Sequence, residues 1–284
     1  MDNLFAKYGT SPMLEIRWNP VLLFCCVFST CLGGSLWAQQ DVLPAKELPL
    51  DGELFATGGR PAFLIPGRAG LPRSGKSWVW YAPTLPNLPG PEERWMFERF
   101  AAAGIAMAGI DAGESYGSPR GNIVYTALYD AMKARGYSPK PLLLGRSRGG
   151  LMTLSWAAEH PECVSGFAGI YPVCSLSSYP GLERAAGAFE LTADQLKARL
   201  MEFNPVDRLQ PLVKAGVPLF AIHGDVDRLV PLEANSGLMK QRCEELGGRM
   251  ELIIPRGQGH SMWPGFFQSE ELVAFVLRHC DPAP

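Results

Sequence analysis

A serine hydroxyl acts as a nucleophile only where the backbone lifts it clear and a base can take its proton. Gly145-Arg146-Ser147-Arg148-Gly149 meets the first condition. Glycines on both sides of such a G-x-S-x-G turn remove the Cβ atoms that would clash in a sharp strand-to-helix bend, so the hydroxyl stands above the sheet. The flanking sequence agrees. Leu142, Leu143 and Leu144 suit a strand buried on both faces, and Leu151, Leu154 and Ala158 recur at helical spacing just beyond. That helix would also direct its free N–H groups at the place where negative charge develops in acyl transfer. The plain alternative is a serine that merely caps a helix, and an acid and a base further along the chain would decide between the two.

Both are present. Pro218 to Ile222 reads as a strand running into His223-Gly224-Asp225-Val226-Asp227, with Val230-Pro231 opening a helix. Met250 to Pro255 reads as another, followed by RGQGHSMWPG, which puts His260 in a glycine-rich loop. Ser147, Asp227 and His260 each follow a predicted strand, and parallel strands bring their C-terminal ends to one edge. Of the other histidines, His160 ends the helix after Ser147, His223 sits at a strand end and His279 lies on the last predicted helix. A structural role suits those three.

GRSRGG, HGDVDRLVP and GQGH, in the order Ser…Asp…His, resemble the α/β-hydrolase superfamily, in its dienelactone-hydrolase and prolyl-oligopeptidase-like branch, over about residues 51–279. The resemblance implies an α/β fold: a mostly parallel central sheet flanked by helices, with a small cap insertion after the sixth strand. It also implies that the acid is the second aspartate, Asp227. Asp225 is the other candidate, and its local role would be to bond loop backbone. The oxyanion hole would use backbone N–H groups of Arg148 and, since Pro83 has none, of Thr84 or Leu85. Two departures stand out. Dienelactone hydrolases proper carry a cysteine where this chain has Ser147, and no room is expected within these 284 residues for the large N-terminal propeller of prolyl oligopeptidases.

The elements that must position these residues alternate as the fold requires. DGELFATGGRPAFLIP (51–66) reads as two short strands joined by a Gly-Gly turn, and Ser77 to Ala82 as a third. Pro91 to Ala103 is a predicted helix, Ile105 to Ile110 a strand, Asn122 to Arg135 a helix and Cys163 to Tyr171 a strand. The pattern breaks at 172–204, the cap, with its own helix from Ala193 to Phe203 capped by Thr192. It resumes with Leu209 to Ala215, a helix from Glu233 to Leu246 and a closing helix from Glu270 to His279.

With 284 residues, 47% hydrophobic and 19% charged, the chain can bury one full catalytic domain, residues 39–284. Net charge −2 gives no basic footprint for nucleic acid. Residues 1–38 read as a secretory signal: Val21 to Leu32 is apolar, Arg17 precedes it, and Ala38 offers a cleavage site. Met13 is a candidate true start. A retained anchor and a lipoprotein at Cys31 are weaker alternatives, the apolar run being about half a spanning length. The expected location is therefore secreted or periplasmic, with no stable membrane span. Cys163, Cys174, Cys243 and Cys280 would remain, as bridges or as buried thiols. No spacing suggests a metal or other cofactor.

The expected reaction is ester hydrolysis through an acyl-enzyme, with the substrate a small-molecule or carbohydrate ester. Arg146 and Arg148 suit an anionic ester such as a uronate, and Ser-Arg at the turn also resembles the glucuronoyl esterases; alternatively, one or both arginines tie down neighbouring loops. Trp78, Trp80, Tyr81, Tyr116, Tyr171 and Trp263 offer aromatic faces. Most would be core, and Trp263, close after His260, is the one assigned to the substrate. Asp111, Glu114 and Tyr116 lie in a loop that could face the pocket or simply be solvated. A peptidase acting on short peptides would use the same triad. A non-catalytic binding protein is the rival of another class, and it would show His260 turned away from Ser147.

Overall fold

The computed structural model describes residues 46–68 and 76–280. The signal reading for 1–38, with Met13, Cys25, Cys26, Cys31 and Ala38, falls outside these residues. β1 (Glu53–Thr57) and β2 (Arg60–Ile65) form the expected hairpin. There follow β3 (Trp78–Ala82), α1 (Arg94–Ala102), β4 (Ala106–Ile110), α2 (Pro119–Ala134), β5 (Leu142–Arg146), α3 (Gly149–Glu159) and β6 (Gly166–Ile170). Four short helices come next: α4 (Leu182–Ala185), α5 (Ala193–Ala198), α6 (Leu200–Phe203) and α7 (Gln210–Lys214). The chain ends with β7 (Leu219–Ile222), α8 (Ser236–Glu245), β8 (Met250–Ile253), α9 (Pro264–Phe267) and α10 (Glu270–His279).

The sheet has eight strands in the order β1-β2-β4-β3-β5-β6-β7-β8. It is antiparallel at β1/β2 and β2/β4 and parallel from β4 to β8. This is the α/β-hydrolase architecture. β3 and β5 are buried along their whole length, as unbroken apolar strands in a sheet covered on both faces must be. Alternate side chains feed two cores. Trp78, Trp80 and Leu143 pack with α2, α3 and α8 through Leu128, Trp156 and Met239. Val79, Tyr81, Leu142 and Leu144 pack with α1 and α10 through Phe97, Phe100 and Phe275. Between these layers β5 is central, and its C-terminal end carries Ser147.

The cap after β6 has a third, smaller core. Leu176, Ala185, Phe189, Leu196 and Phe203 close over Leu151 of α3, Tyr116 and Val230. Two buried amides fasten its entry. The Asn235 carboxamide oxygen accepts from Cys174 N at 2.9 Å, Ser175 N at 3.2 Å and Ser178 Oγ at 2.9 Å, while the Asn204 oxygen accepts from Leu176 N at 2.8 Å.

Boundaries move for local reasons. α2 starts three residues before Asn122, because Ser118 caps it by accepting from Gly121 N at 3.3 Å, with Pro119 in the first turn. The helix expected over 193–203 divides into α5 and α6. Thr192 and Gln195 form a capping box at its start, but Arg199 (φ −112°, ψ 20°) leaves helical geometry. The residues from Pro91 to Glu93 form a 3₁₀ turn ahead of α1. Cys163, Cys174 and Cys243 are free thiols. Among the described residues, no helix is long and apolar enough to cross a membrane.

Candidate active site

Ser147 follows β5 directly, with φ +51°. A non-glycine residue in this left-handed region costs about 1–3 kcal/mol and persists only where the surroundings impose it. They impose it by close packing. A Cβ on Gly149 would fall 2.0 Å from Ala82 O, and one on Gly150 would fall 2.5 Å from Val173 O. The turn is therefore pressed against the end of β3 on one side and the start of the cap on the other, and neither leaves room for a side chain.

Ser147 Oγ lies 3.0 Å from His260 Nε2, and His260 Nδ1 lies 2.7 Å from Asp227 Oδ2. An ionised carboxylate only accepts, so Nδ1 carries the proton and Nε2 is the acceptor for the serine hydroxyl. Asp227 is 5% exposed and well supported. Its Oδ1 accepts from Leu229 N at 3.0 Å and Val230 N at 2.8 Å. Burial pushes its pKa up, but bonds from His223, His260 and Val230 N outweigh that and hold it well below the usual carboxylate range.

His223 is fully buried behind Asp227. Its Nε2 lies 2.8 Å from Val230 O, which can only accept, and 3.4 Å from Asp227 Oδ2, so that nitrogen bears the proton. Nδ1 then accepts from Ser236 Oγ at 2.8 Å. Asp225 bonds loop backbone, as its local role requires: Oδ1 accepts from Gly257 N at 2.6 Å and so ties down the segment leading to His260. His260 faces Ser147, and the orientation expected of an idle site is absent.

Of the expected oxyanion donors, Arg148 directly follows Ser147, and Thr84 lies two residues beyond Ala82, against which the turn packs. Among the described residues, no hydrogen bond is made by Arg148 N–H or Thr84 N–H. Thr84 is buried, and its Oγ1 donates to Tyr81 O at 3.3 Å. Its loop is anchored by Lys46, whose ammonium donates to Leu85 O and Leu88 O. Burial lowers the Lys46 pKa to about 8, against an opposing pull from Asp111.

The two arginines of the turn part company. Arg146 points inward: Nη1 is 2.6 Å from Oε1 of the fully buried Glu93, and the guanidinium lies over Phe267 at 4.9 Å. It is a loop-tying arginine, and the expectation that it contacts substrate gives way to this buried pairing. Arg148 stays at the surface of the site, 29% exposed, with Nε 3.2 Å from Glu114 Oε1. Trp263 is 38% exposed and packs edge-on to Phe266 at 5.3 Å. Trp78, Trp80 and Tyr81 are core side chains, and Tyr116 belongs to the cap core. Tyr171, with φ +34°, packs its ring against His260 at 4.2 Å between centroids, tilted by 52°.

Sequence reasoning passed over Glu93, Met262 and the pairing of Glu114. A glutamate in the first turn of a helix looks like an ordinary end-of-helix charge, and only the fold carries it under Arg146. Among the described residues, no group of three or more His, Cys, Asp or Glu is placed to hold a metal ion.

The sequence model of the prolyl oligopeptidase family (Peptidase_S9) matches residues 125–281. No curated protein matches the sequence. Among solved structures, the chain is similar to Pyrococcus horikoshii acylaminoacyl peptidase, with TM-score 0.64 and 14% identity over 82% of this chain and 42% of that one. It is similar to Est1E from Butyrivibrio proteoclasticus, with TM-score 0.60 and 16% identity over 81% of this chain and 99% of that one. Mycobacterium tuberculosis MPT51 (FbpC1) matches with TM-score 0.66 and 13% identity, over 81% of this chain and 99% of that one. The chain spans only 35% to 42% of the length of the solved peptidases it resembles. At these identities the likeness speaks for the fold.

Proposed function

This chain belongs to the prolyl oligopeptidase family and is a serine hydrolase, and from that premise we propose that it cleaves carboxylic esters through an acyl-enzyme. Ser147 is the nucleophile, His260 the general base and then acid, and Asp227 the carboxylate that fixes the imidazole tautomer and offsets its charge. The observation that carries this is the continuous relay from Ser147 Oγ to His260 (3.0 Å) and from His260 to Asp227 (2.7 Å).

In the first half-reaction Ser147 Oγ attacks the ester carbonyl while its proton passes to His260 Nε2. The oxyanion forms against the N–H groups of Arg148 and Thr84, and collapse expels the alcohol, which takes the proton from the imidazolium. Water then repeats the sequence on the acyl-enzyme, releasing the acid and restoring Ser147. An oxyanion donor of this kind contributes roughly 3–4 kcal/mol.

An ester on carbohydrate, a uronate among them, is the substrate class favoured by Arg148, the arginine of the turn that stays open to solvent. The ester reading is supported by the similarity to Est1E, almost the whole of whose length is covered. Short peptides are the second reading, supported by the peptidases of the same fold. The signal-like residues 1–38 support export of the enzyme to the outside or the periplasm.

The test is hydrolysis of p-nitrophenyl acetate and butyrate beside methyl and benzyl uronates, with Ser147→Ala as control. The expected outcome is ester turnover that the mutant loses by about 10⁴-fold or more. Inertness on every ester with turnover of a peptide panel would move the assignment to a peptidase.

A further inference from the structure

Arg146 and Glu93 form a charged pair sealed beneath the proposed nucleophile. Glu93 is 0% exposed and Arg146 6%. The carboxylate is well satisfied: Oε1 accepts from Arg146 Nη1 at 2.6 Å and from Tyr81 OH at 2.8 Å, and Oε2 accepts from Gly90 N at 2.8 Å. Burying such a pair stabilises a fold little, since desolvation consumes most of the Coulombic gain. A hydrophobic pair of equal volume would serve packing as well, so the reason for the charges lies in what the guanidinium touches on its other side.

That side is the support of His260. Arg146 Nη2 lies 2.8 Å from Met262 Sδ, two residues beyond the imidazole, and the guanidinium plane covers Phe267 of α9. The Tyr171 hydroxyl donates to the same Met262 sulfur at 4.0 Å. The Tyr171 ring in turn packs at a tilt against His260 at 4.2 Å and meets Phe266 edge-on at 5.0 Å. Both segments that hold the imidazole, the strained Tyr171 after β6 and the loop running from His260 into α9, therefore meet at the Met262 sulfur, which one guanidinium holds. That guanidinium belongs to the residue immediately before Ser147.

We propose that Arg146, anchored by Glu93, is a positioning residue for the proposed triad, locking Tyr171 and Met262 so that the His260 ring is held in register with Ser147. The inference rests on the Ser147–His260 assignment. The planar fork matters as much as the charge. Lysine would still face Glu93, but it could not cover Phe267 while also reaching Met262. The groups facing His260 are Ser147 at Nε2, Asp227 at Nδ1 with His223 behind it, and Tyr171 across the ring face, with Arg146 and Glu93 beyond Tyr171.

Two variants test this. Arg146→Lys keeps a charge opposite Glu93, and the double variant Glu93→Gln/Arg146→Met removes both charges, so each leaves no lone buried ion. Three readouts apply: kcat and KM on a small neutral ester, the rate at which a fluorophosphonate labels Ser147, and the downfield proton resonance of the His260 Nδ1–H bond to Asp227. Circular dichroism and melting confirm the fold. The expected result is an unchanged KM, kcat and labelling each lower by about 100-fold, as misplacement by an ångström produces, and a broadened or shifted resonance. Folded variants whose kcat and labelling stay within about twofold of the parent, or which change KM alone, overturn the proposal. Failure of the parent itself to be labelled would instead strike the Ser147 assignment, so the two failures are told apart.

Discussion

At the residue scale, Asp227 carries the strongest electrostatic commitment. Its folded pKa lies well below the ordinary carboxylate value of about 4. A depressed carboxylate contributes stability that is complete above the unfolded value and is lost as pH falls through the folded one. Asp227→Asn should therefore melt below the parent at neutral pH, and the gap should narrow steadily below about pH 4, as thermal unfolding across pH would record. Glu114 makes the opposite kind of contribution. Its carboxylate, 3.2 Å from Arg148 Nε, competes with any substrate anion for that guanidinium. Glu114→Gln should raise kcat/KM for a uronate ester relative to a neutral one by about 1.5–5-fold, the size of a modest exposed charge pair, and paired kinetics on the two substrates would measure it.

At the element scale, the β5–turn–α3 unit depends on close backbone approach. Gly149→Ala would drive a methyl group into Ala82 O at 2.0 Å. The expected outcome is loss of ester turnover with a fall in melting temperature, because Ser147 and the Thr84 loop are displaced together. This unit was legible in the sequence, since apolar strand, glycine-flanked serine and apolar helix are all local signals. So were the loops carrying Asp227 and His260. The division of the cap helix at Arg199 was not, because 193–203 keeps helix-forming residues throughout and the break is set by how α5 and α6 pack on Leu151 and Val230. Nor could the local sequence divide the work of Arg146 and Arg148. Two arginines flank one serine symmetrically in the chain, and only strand pleat and a glutamate fifty-three residues earlier turn one inward.

At the scale of the whole molecule, two cores on opposite faces of one sheet carry the fold, and Cys163, Cys174 and Cys243 take part in it as free thiols. Burial raises the thiol pKa values of Cys163, Cys174 and Cys243, which disfavours the reactive thiolate. Melting temperature and ester turnover should be the same with and without a reducing agent, as parallel scans would check. The alternation of strands and helices made the layered architecture readable from the sequence. The link between distant parts, such as His223 behind Asp227, required the folded chain.

The amides of Asn235 and Asn204 have a consequence for traffic through the site. They bind the entry of the cap to the acid loop and to the cap's own exit, while the cap's apolar underside rests on the helix that begins beside Ser147. Swinging this segment outward would break several buried hydrogen bonds and wet Phe189, Leu196 and Phe203 in one step. The cap is thus built as a fixed wall. Ester turnover is therefore expected to be independent of the viscosity of the medium, which would slow a hinged gate, as kcat measured across a glycerol series would record.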